Sequence, residues 1–346
     1  MSESGTDAVL RQARAWRSEG RQVALATVLD TWGSAPRRPG AHMAVTREGD
    51  FVGSVSGGCV EVAVADEARG VLDGGGRRIV EYGVADEEAW AVGLACGGRI
   101  RVLVEPVGPG GLGDELLATL VSAREQGRAV VLATDLSTGE HLLTDSGSDR
   151  VGGDGRAGGW EGEVGHVLRL DRARVVGEGE GEGVFLRPHN PPVRIVIVGA
   201  VHLAQALAPL VAAVGYRPTV VDPRDAFATE ARFPGIPLLR RWPGEALDAL
   251  GPDARTGIVV VTHDPKFDDP ALIRALESPA FYVGALGSRR THARRLDRLR
   301  EAGVPEEDLG RIRAPVGLDI GARSPEEIAV AILGEMVQAL RRPDEA

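Results

Sequence analysis

Apolar positions along this 346-residue chain recur at helical spacing in some stretches and at strand spacing in others, and each change of period marks an element. Val9, Leu10, Ala13 and Trp16 share one face of a 3.6-residue repeat, which predicts an amphipathic helix over residues 6–19, stopped by Gly20. Apolar runs predict strands over 22–30, 42–46 and 78–82, and the clean alternation of 99–105 predicts a half-exposed strand. Helices are predicted over 60–72 and 114–126, with a strand over 129–134. From 137 to 183 the pattern dissolves into Gly, Asp and Glu. Hairpins with variable loops are the reading there, with 184–187 pairing back onto the same sheet.

The second half has a different rhythm, in which each buried apolar run leads into a tight turn and a helical segment. Residues 193–198 read as a parallel-type strand, Gly199 turns the chain into a helix that stops at Gly215, and 218–222 is a second strand closed by Asp222. That succession predicts a dinucleotide-binding unit, with Asp222 placed to accept from a ribose hydroxyl. Of the three glycines in G-x-G-x-x-G, Gly199 is present, while Val201 and Ala204 stand in the other two places. Val201 sets a branched side chain where a pyrophosphate would approach, so the pattern predicts the fold and leaves the ligand open. Two further strands, 257–262 and 281–286, end in loops that carry His263, Asp264, Gly287, Ser288 and Arg289. Loops at these carboxyl ends face the ligand crevice of an open α/β sheet, so the five residues are candidates for binding, with His263 read equally as a cap of its own loop. Ser324, Pro325 and Glu327 form a capping box that opens a last helix, ending near residue 340.

Between the halves, Pro188, Pro191 and Pro192 fall within five residues and predict a stiff linker. The predicted organisation is therefore a first domain over 1–187, a linker over 188–192 and a second domain over 193–346. The fold class is α/β: an N-terminal α+β domain followed by a Rossmann-like, doubly wound parallel sheet.

An apolar content of 43% is enough to build two cores, and a net charge of −10 argues against general nucleic-acid binding. No apolar run reaches the length of a membrane span, and the acidic, polar first residues fit neither a secretory nor a transit peptide, so a cytoplasmic protein is expected. Two cysteines without a Cys-x-x-Cys pair argue against a disulfide framework or a zinc ribbon.

Those two cysteines carry the candidate chemistry. Residues 53–61 run Gly-Ser-Val-Ser-Gly-Gly-Cys-Val-Glu, which sets Cys59 where a glycine turn meets the predicted helix. Free N–H groups and the positive dipole at a helix N-terminus favour a thiolate there, and Glu61 opposes it. The N–H groups of Gly57 and Gly58, beside Ser56, are placed to receive a phosphate. The plain alternative is a tight strand-to-helix corner with a buried cysteine. Cys96-Gly97-Gly98 repeats the arrangement in reverse order. Arg37 and Arg38, framed by Pro36 and Pro39, read either as an anion contact or as a solvated basic turn.

With these segments in view, the sequence resembles the XdhC/CoxI family, accessory proteins of bacterial xanthine dehydrogenase and related molybdenum hydroxylases. The resemblance rests on residues 33–40, 53–61 and 96–98 in the first half, and on 262–264, 284–289 and 315–321 in the second. Gly199-Ala200-Val201-His202 stands where the family carries Gly-Ala-Gly-His. The resemblance implies a maturation factor, not necessarily a catalyst, that binds molybdenum cofactor, protects it while its terminal sulfur is installed, and delivers it to an apo-hydroxylase. It implies a hydroxylase and a cysteine desulfurase or sulfurtransferase as partners, and a homo-oligomer. Cys59 is then a ligand for the molybdenum of the bound cofactor, with Ser56, Gly57, Gly58, Cys96, Arg37 and Arg38 around it. Gly199, His202, Asp222 and the later loops would hold NAD or another nucleotide. The competing readings are an NAD-dependent oxidoreductase with His263 as its acid/base, and a nucleotide sensor.

Overall fold

The computed structural model describes residues 5–33, 37–83, 98–145, 150–153, 158–177 and 183–342, in two units that divide between Pro191 and Pro192. The first unit opens with α1 (Gly5–Ser18), β1 (Val23–Trp32), β2 (His42–Thr46), β3 (Phe51–Gly53), α2 (Glu61–Gly70), β4 (Arg78–Tyr82) and β5 (Arg99–Pro106). The same succession then recurs as α3 (Asp114–Glu125), β6 (Val130–Asp135), β7 (His141–Asp145), β8 (Arg150–Gly153), α4 (Glu161–Leu170), β9 (Arg174–Val176) and β10 (Val184–His189). Both sets of strands form antiparallel sheets, in the orders β3-β2-β1-β5-β4 and β8-β7-β6-β10-β9, which are one order written twice.

The duplication reaches individual residues. Thr27 pairs with His42 in the first sheet and Thr134 with His141 in the second, and each threonine hydroxyl lies within hydrogen-bond distance of its histidine Nδ1, at 2.9 and 3.1 Å. Gly53 ends β3 and Gly153 ends β8, both at positive φ, and a Cβ at either would come within 2.3 Å of a backbone carbonyl, that of His42 or of His141. Glycine is the residue that fits there. Eight residues later each copy starts a helix with a glutamate, Glu61 or Glu161.

Each sheet buries one face against its own helix. Val60, Val64 and Ala68 cover the first, and Trp160, Val164 and Leu168 the second. The opposite faces share one core with α1 and α3, in which Val23, Leu25 and Ala44 from one sheet join Val130, Leu132 and Leu143 from the other. Full burial of each of these valines and leucines contributes about 1.5–3 kcal/mol. This arrangement covers β5 on both sides, so Arg99–Pro106 is largely buried rather than half-exposed.

Two other expectations for this unit are corrected. The region read as hairpins contains α4, whose residues Gly162 and Gly165 weaken the helical signal although Val164, Val167 and Leu168 are buried by it. β10 runs through Pro188 and His189, which pair with Val131 and Val130, so part of the expected linker is sheet. Proline is tolerated there because β9 pairs only as far as Leu186, leaving the strand open on that side at Pro188.

The second unit contains β11 (Arg194–Val198), α5 (His202–Ala213), β12 (Arg217–Val221), β13 (Leu238–Leu239), α6 (Pro243–Leu250), β14 (Thr256–Val260), α7 (Pro265–Leu276), β15 (Tyr282–Ala285), α8 (Arg289–Glu301), α9 (Glu306–Leu309), β16 (Ile312–Arg313) and α10 (Pro325–Arg341). Its strands are all parallel, in the order β13-β12-β11-β14-β15-β16. This is the doubly wound Rossmann order, which reverses direction between β11 and β14. Residues of α5 and α10 pack on one face, and residues of α6, α7 and α8 on the other. The capping box at Ser324 and Glu327 forms as its sequence requires.

Candidate functional site

The loop from β3 to α2 is organised by Glu61. Glu61 is 7% exposed, and its carboxylate accepts hydrogen bonds from the hydroxyls of Ser54 and Ser56, both at 2.6 Å. It also accepts from the backbone N–H groups of Val55, Ser56, Gly57 and Gly58, at 2.9–3.2 Å. Burial alone raises the pKa of such a group, but the hydrogen bonds from Ser54 and Ser56 outweigh it and hold the carboxyl at about 2. The loop is thus folded around an internal anion.

That geometry corrects the expected phosphate cradle, because the N–H groups of Gly57 and Gly58 already point at Glu61. The N–H groups of Cys59 and Val60 likewise donate to the Ser56 hydroxyl, each at 3.0 Å, so the donors counted toward an anion at Cys59 are engaged. Cys59 itself precedes α2 by two residues and is exposed, which overturns the alternative of a buried corner cysteine. What the loop presents is a thiol on a fixed backbone. At the corresponding place before α4 the second copy carries Gly159, so the thiol belongs to one copy alone. Arg37 and Arg38 are exposed. Cys96 and Gly97, and residues 34–36, lie outside the described residues.

In the second unit the expected ribose acceptor is closed off. Asp222 is 1% exposed, and its two oxygens accept from the Ala200 N–H at 2.8 Å, the Arg224 N–H at 3.0 Å, and Arg224 Nε and Nη2 at 2.9 and 2.7 Å. Burial raises this pKa, and the bonds from Arg224 and Ala200 outweigh it and lower it. The Arg224 guanidinium is in turn stacked 4.1 Å from the Phe227 ring centroid and 5.0 Å from that of Phe267. Asp222 therefore clamps the turn after β11 to the end of β12. Gly199 sits in that turn at φ +112, where a Cβ would lie 2.4 Å from Thr262 Cγ2. His202 is largely exposed, 3.9 Å from Glu326.

The loops after β14 and β15 do meet, though not through all the residues expected. Asp264 caps α7 by accepting from the Lys266 N–H, and Ser288 caps α8 by accepting from the Thr291 N–H. Arg289 is exposed at the start of α8. His263 holds a left-handed conformation at φ +63, uncommon for a residue with a side chain, and lines a cavity of 190 Å³. Asp268, Thr291 and Arg295 line it as well. The Asp268 carboxylate accepts from the Thr262 hydroxyl and from Arg295, yet burial keeps its pKa raised. Sequence reading missed Asp268 and Arg295 because they lie within α7 and α8, past the loop motifs. Their available signal was a charged residue on the apolar face of each helix.

These features define a two-unit protein, in which a duplicated antiparallel unit displays the thiol of Cys59 and a Rossmann unit has its usual ribose acceptor sealed. Among the described residues no helix is long and apolar enough to cross a membrane. The chain belongs to the XdhC and CoxI family: residues 16–83 match that family and residues 195–336 match the XdhC Rossmann domain. It is 31% identical over 338 residues to the Escherichia coli molybdenum cofactor insertion chaperone PaoD, covering 97% of this chain and 89% of that one. It is 28% identical over 330 residues to a Bacillus subtilis protein described as a probable xanthine dehydrogenase subunit, covering 93% and 94%. The fold is similar to that of a Bacillus halodurans protein whose crystal structure is described as a xanthine dehydrogenase, with a TM-score of 0.71 and 27% identity over 97% of this chain and 96% of the other.

Proposed function

We propose that this protein carries molybdenum cofactor as cargo and hands it to an apo-hydroxylase of the xanthine dehydrogenase type, with Cys59 as the contact to the metal end. The observation that supports this reading is the exposed thiol on a loop locked by Glu61. A soft ligand at the surface of a pre-ordered loop suits a group that must be held and then released. The likeness to a molybdenum cofactor insertion chaperone over 97% of the chain supports it independently. Installation of the terminal sulfur belongs in this reading to a separate sulfurtransferase, and the carrier works as a homo-oligomer. The alternative of an NAD-dependent oxidoreductase lacks a free ribose acceptor at Asp222.

The test is anaerobic loading of the purified chain with molybdenum cofactor, followed by assay of bound molybdenum and pterin and by activation of a cofactor-free hydroxylase. Wild type retains cofactor and activates the enzyme, and Cys59→Ser retains little. Equal retention by Cys59→Ser removes the role of the thiol. Turnover of a substrate with NAD by the chain alone replaces the carrier reading with the oxidoreductase one.

A further inference from the structure

Arg295 is held in the second unit by less than its chemistry requires. Its side chain is 1% exposed, and it stands among the largest fully buried side chains of the chain. Nη2 donates to the Leu286 carbonyl at 2.8 Å and to Asp268 at 3.3 Å. Nε and Nη1 are also buried, and neither has a hydrogen-bond partner. A guanidinium keeps its charge and five N–H donors at any accessible pH, so donors removed from water without an acceptor weigh against the fold unless something from outside completes them.

The space for that completion is present. The 190 Å³ cavity is walled by Arg295 with His263, Asp268, Thr291, Arg294 and Arg298. One water needs about 10–15 Å³, so the space admits a group of several heavy atoms. Three arginines line it against the single carboxylate residue Asp268, and Arg298 is engaged by Asp269 through bonds of 2.6 and 2.9 Å. Arg294 and Thr291 are exposed at the rim. The lining is thus rich in arginine, with Arg295 buried and Arg294 and Thr291 exposed.

We propose that this cavity is an oxyanion site that takes a phosphate group, as the free ion or as the monoester of a larger molecule. Arg295 Nε and Nη1 bind it from inside, and Arg294 and the Thr291 hydroxyl bind its outer oxygens. Donors converging from several sides match the three free oxygens of a tetrahedral phosphate better than the two coplanar oxygens of a carboxylate. The cavity follows β14 and β15, beside the β11–β14 reversal where this topology seats a dinucleotide, and Thr262, against which a Cβ at Gly199 would close, donates its hydroxyl to Asp268 in the cavity wall. The inference stands apart from the cargo reading, since Cys59 belongs to the other unit.

The test titrates the full chain with inorganic phosphate at constant ionic strength, followed by phosphorus-31 line broadening and by melting temperature, with acetate as the control anion. A nucleoside monophosphate and a phosphorylated pterin are titrated in parallel. Wild type shows saturable phosphate binding that raises the melting temperature. Arg294→Gln weakens it by roughly tenfold or more, as loss of a charge-assisted hydrogen bond requires, and Arg295→Gln abolishes it. If Arg295→Gln does not fold, Arg294→Gln and Thr291→Val on the exposed rim decide the matter. A monoester that binds tighter than inorganic phosphate identifies phosphate as the handle of a larger ligand, and equal affinity identifies the free ion. Absence of saturable binding by wild type, acetate as effective as phosphate, or unchanged affinity in Arg294→Gln overturns the proposal.

Discussion

His42 and His141 occupy the same position in the two copies of the duplicated unit, but they face groups of opposite kind. His141 Nε2 lies 2.7 Å from the Glu105 carboxylate, whereas His42 is buried in the field of Arg187 and Arg124 with its Nε2 unpartnered. His42 also stacks on His189, at 6.4 Å between ring centroids. The pseudo-symmetric core is therefore asymmetric in charge.

The first prediction concerns acid stability. Burial, then repulsion from Arg187 and Arg124, drives the pKa of His42 and of His189 well below 6.5. The folded state keeps both rings neutral while the unfolded chain protonates them, so stability is lost as pH falls below 6.5, at about 1.4 kcal/mol per pH unit for each ring. Urea melts from pH 7 to 5 will show that slope, and His42→Phe will reduce it by about one proton's worth. A slope unchanged in the variant contradicts the assignment.

The second concerns Glu61. Its folded pKa, depressed from 4.5 to about 2, contributes stability that is complete above the unfolded value and disappears as pH falls toward 2. Glu61→Gln will flatten the acid limb in that window. Glu61→Ala, which strands the loop donors, will lower stability by about 2–3 kcal/mol at neutral pH. Protease sensitivity of residues 54–60 will rise in the same variant.

The third separates binding from folding at Cys59. The side chain is exposed, so Cys59→Ser should unfold within about 0.5 kcal/mol of wild type. A native chain with little bound cofactor then reports the thiol itself, and a larger loss of stability would show that Cys59 supports the loop.

The fourth concerns the turn after β11. Gly199→Ala forces a Cβ against Thr262 at φ +112 and should cost about 2–3 kcal/mol by overpacking and backbone strain. Thermal unfolding measures it, and adding Thr262→Ser, which removes the clashing methyl, should restore part of the loss.

Much of this architecture is legible in the sequence. The Rossmann half is readable because buried parallel strands are continuous apolar runs and the Ser324 box is a local signal. The sealed Asp222 is only half legible: Arg224 stands two residues away, but whether it pairs with the acid depends on how the chain turns after β12. Glu61 invites reading as a neighbour that repels Cys59, and only the folded loop shows it to be the acceptor that shapes the turn. The duplication escapes because the two loops, 53–61 and 153–161, agree at Gly53 and Gly153, Gly58 and Gly158, and Glu61 and Glu161 alone. What is preserved between the copies is a set of backbone and packing requirements, which a reading by residue type does not register.

The shared core of the two copies has a consequence for how this protein can change. Two identical chains related by a dyad must carry every substitution twice, once on each side of their interface. Here the equivalent halves are consecutive in one polypeptide, with Val23 and Val130, and Leu25 and Leu132, meeting across a core that a symmetric dimer would build from two molecules. Each half is thereby free to mutate alone. A thiol kept at Cys59 and a glycine at 159, a carboxylate beside His141 and guanidinium groups near His42, are differences that only such covalent pairing allows to accumulate within one folded body.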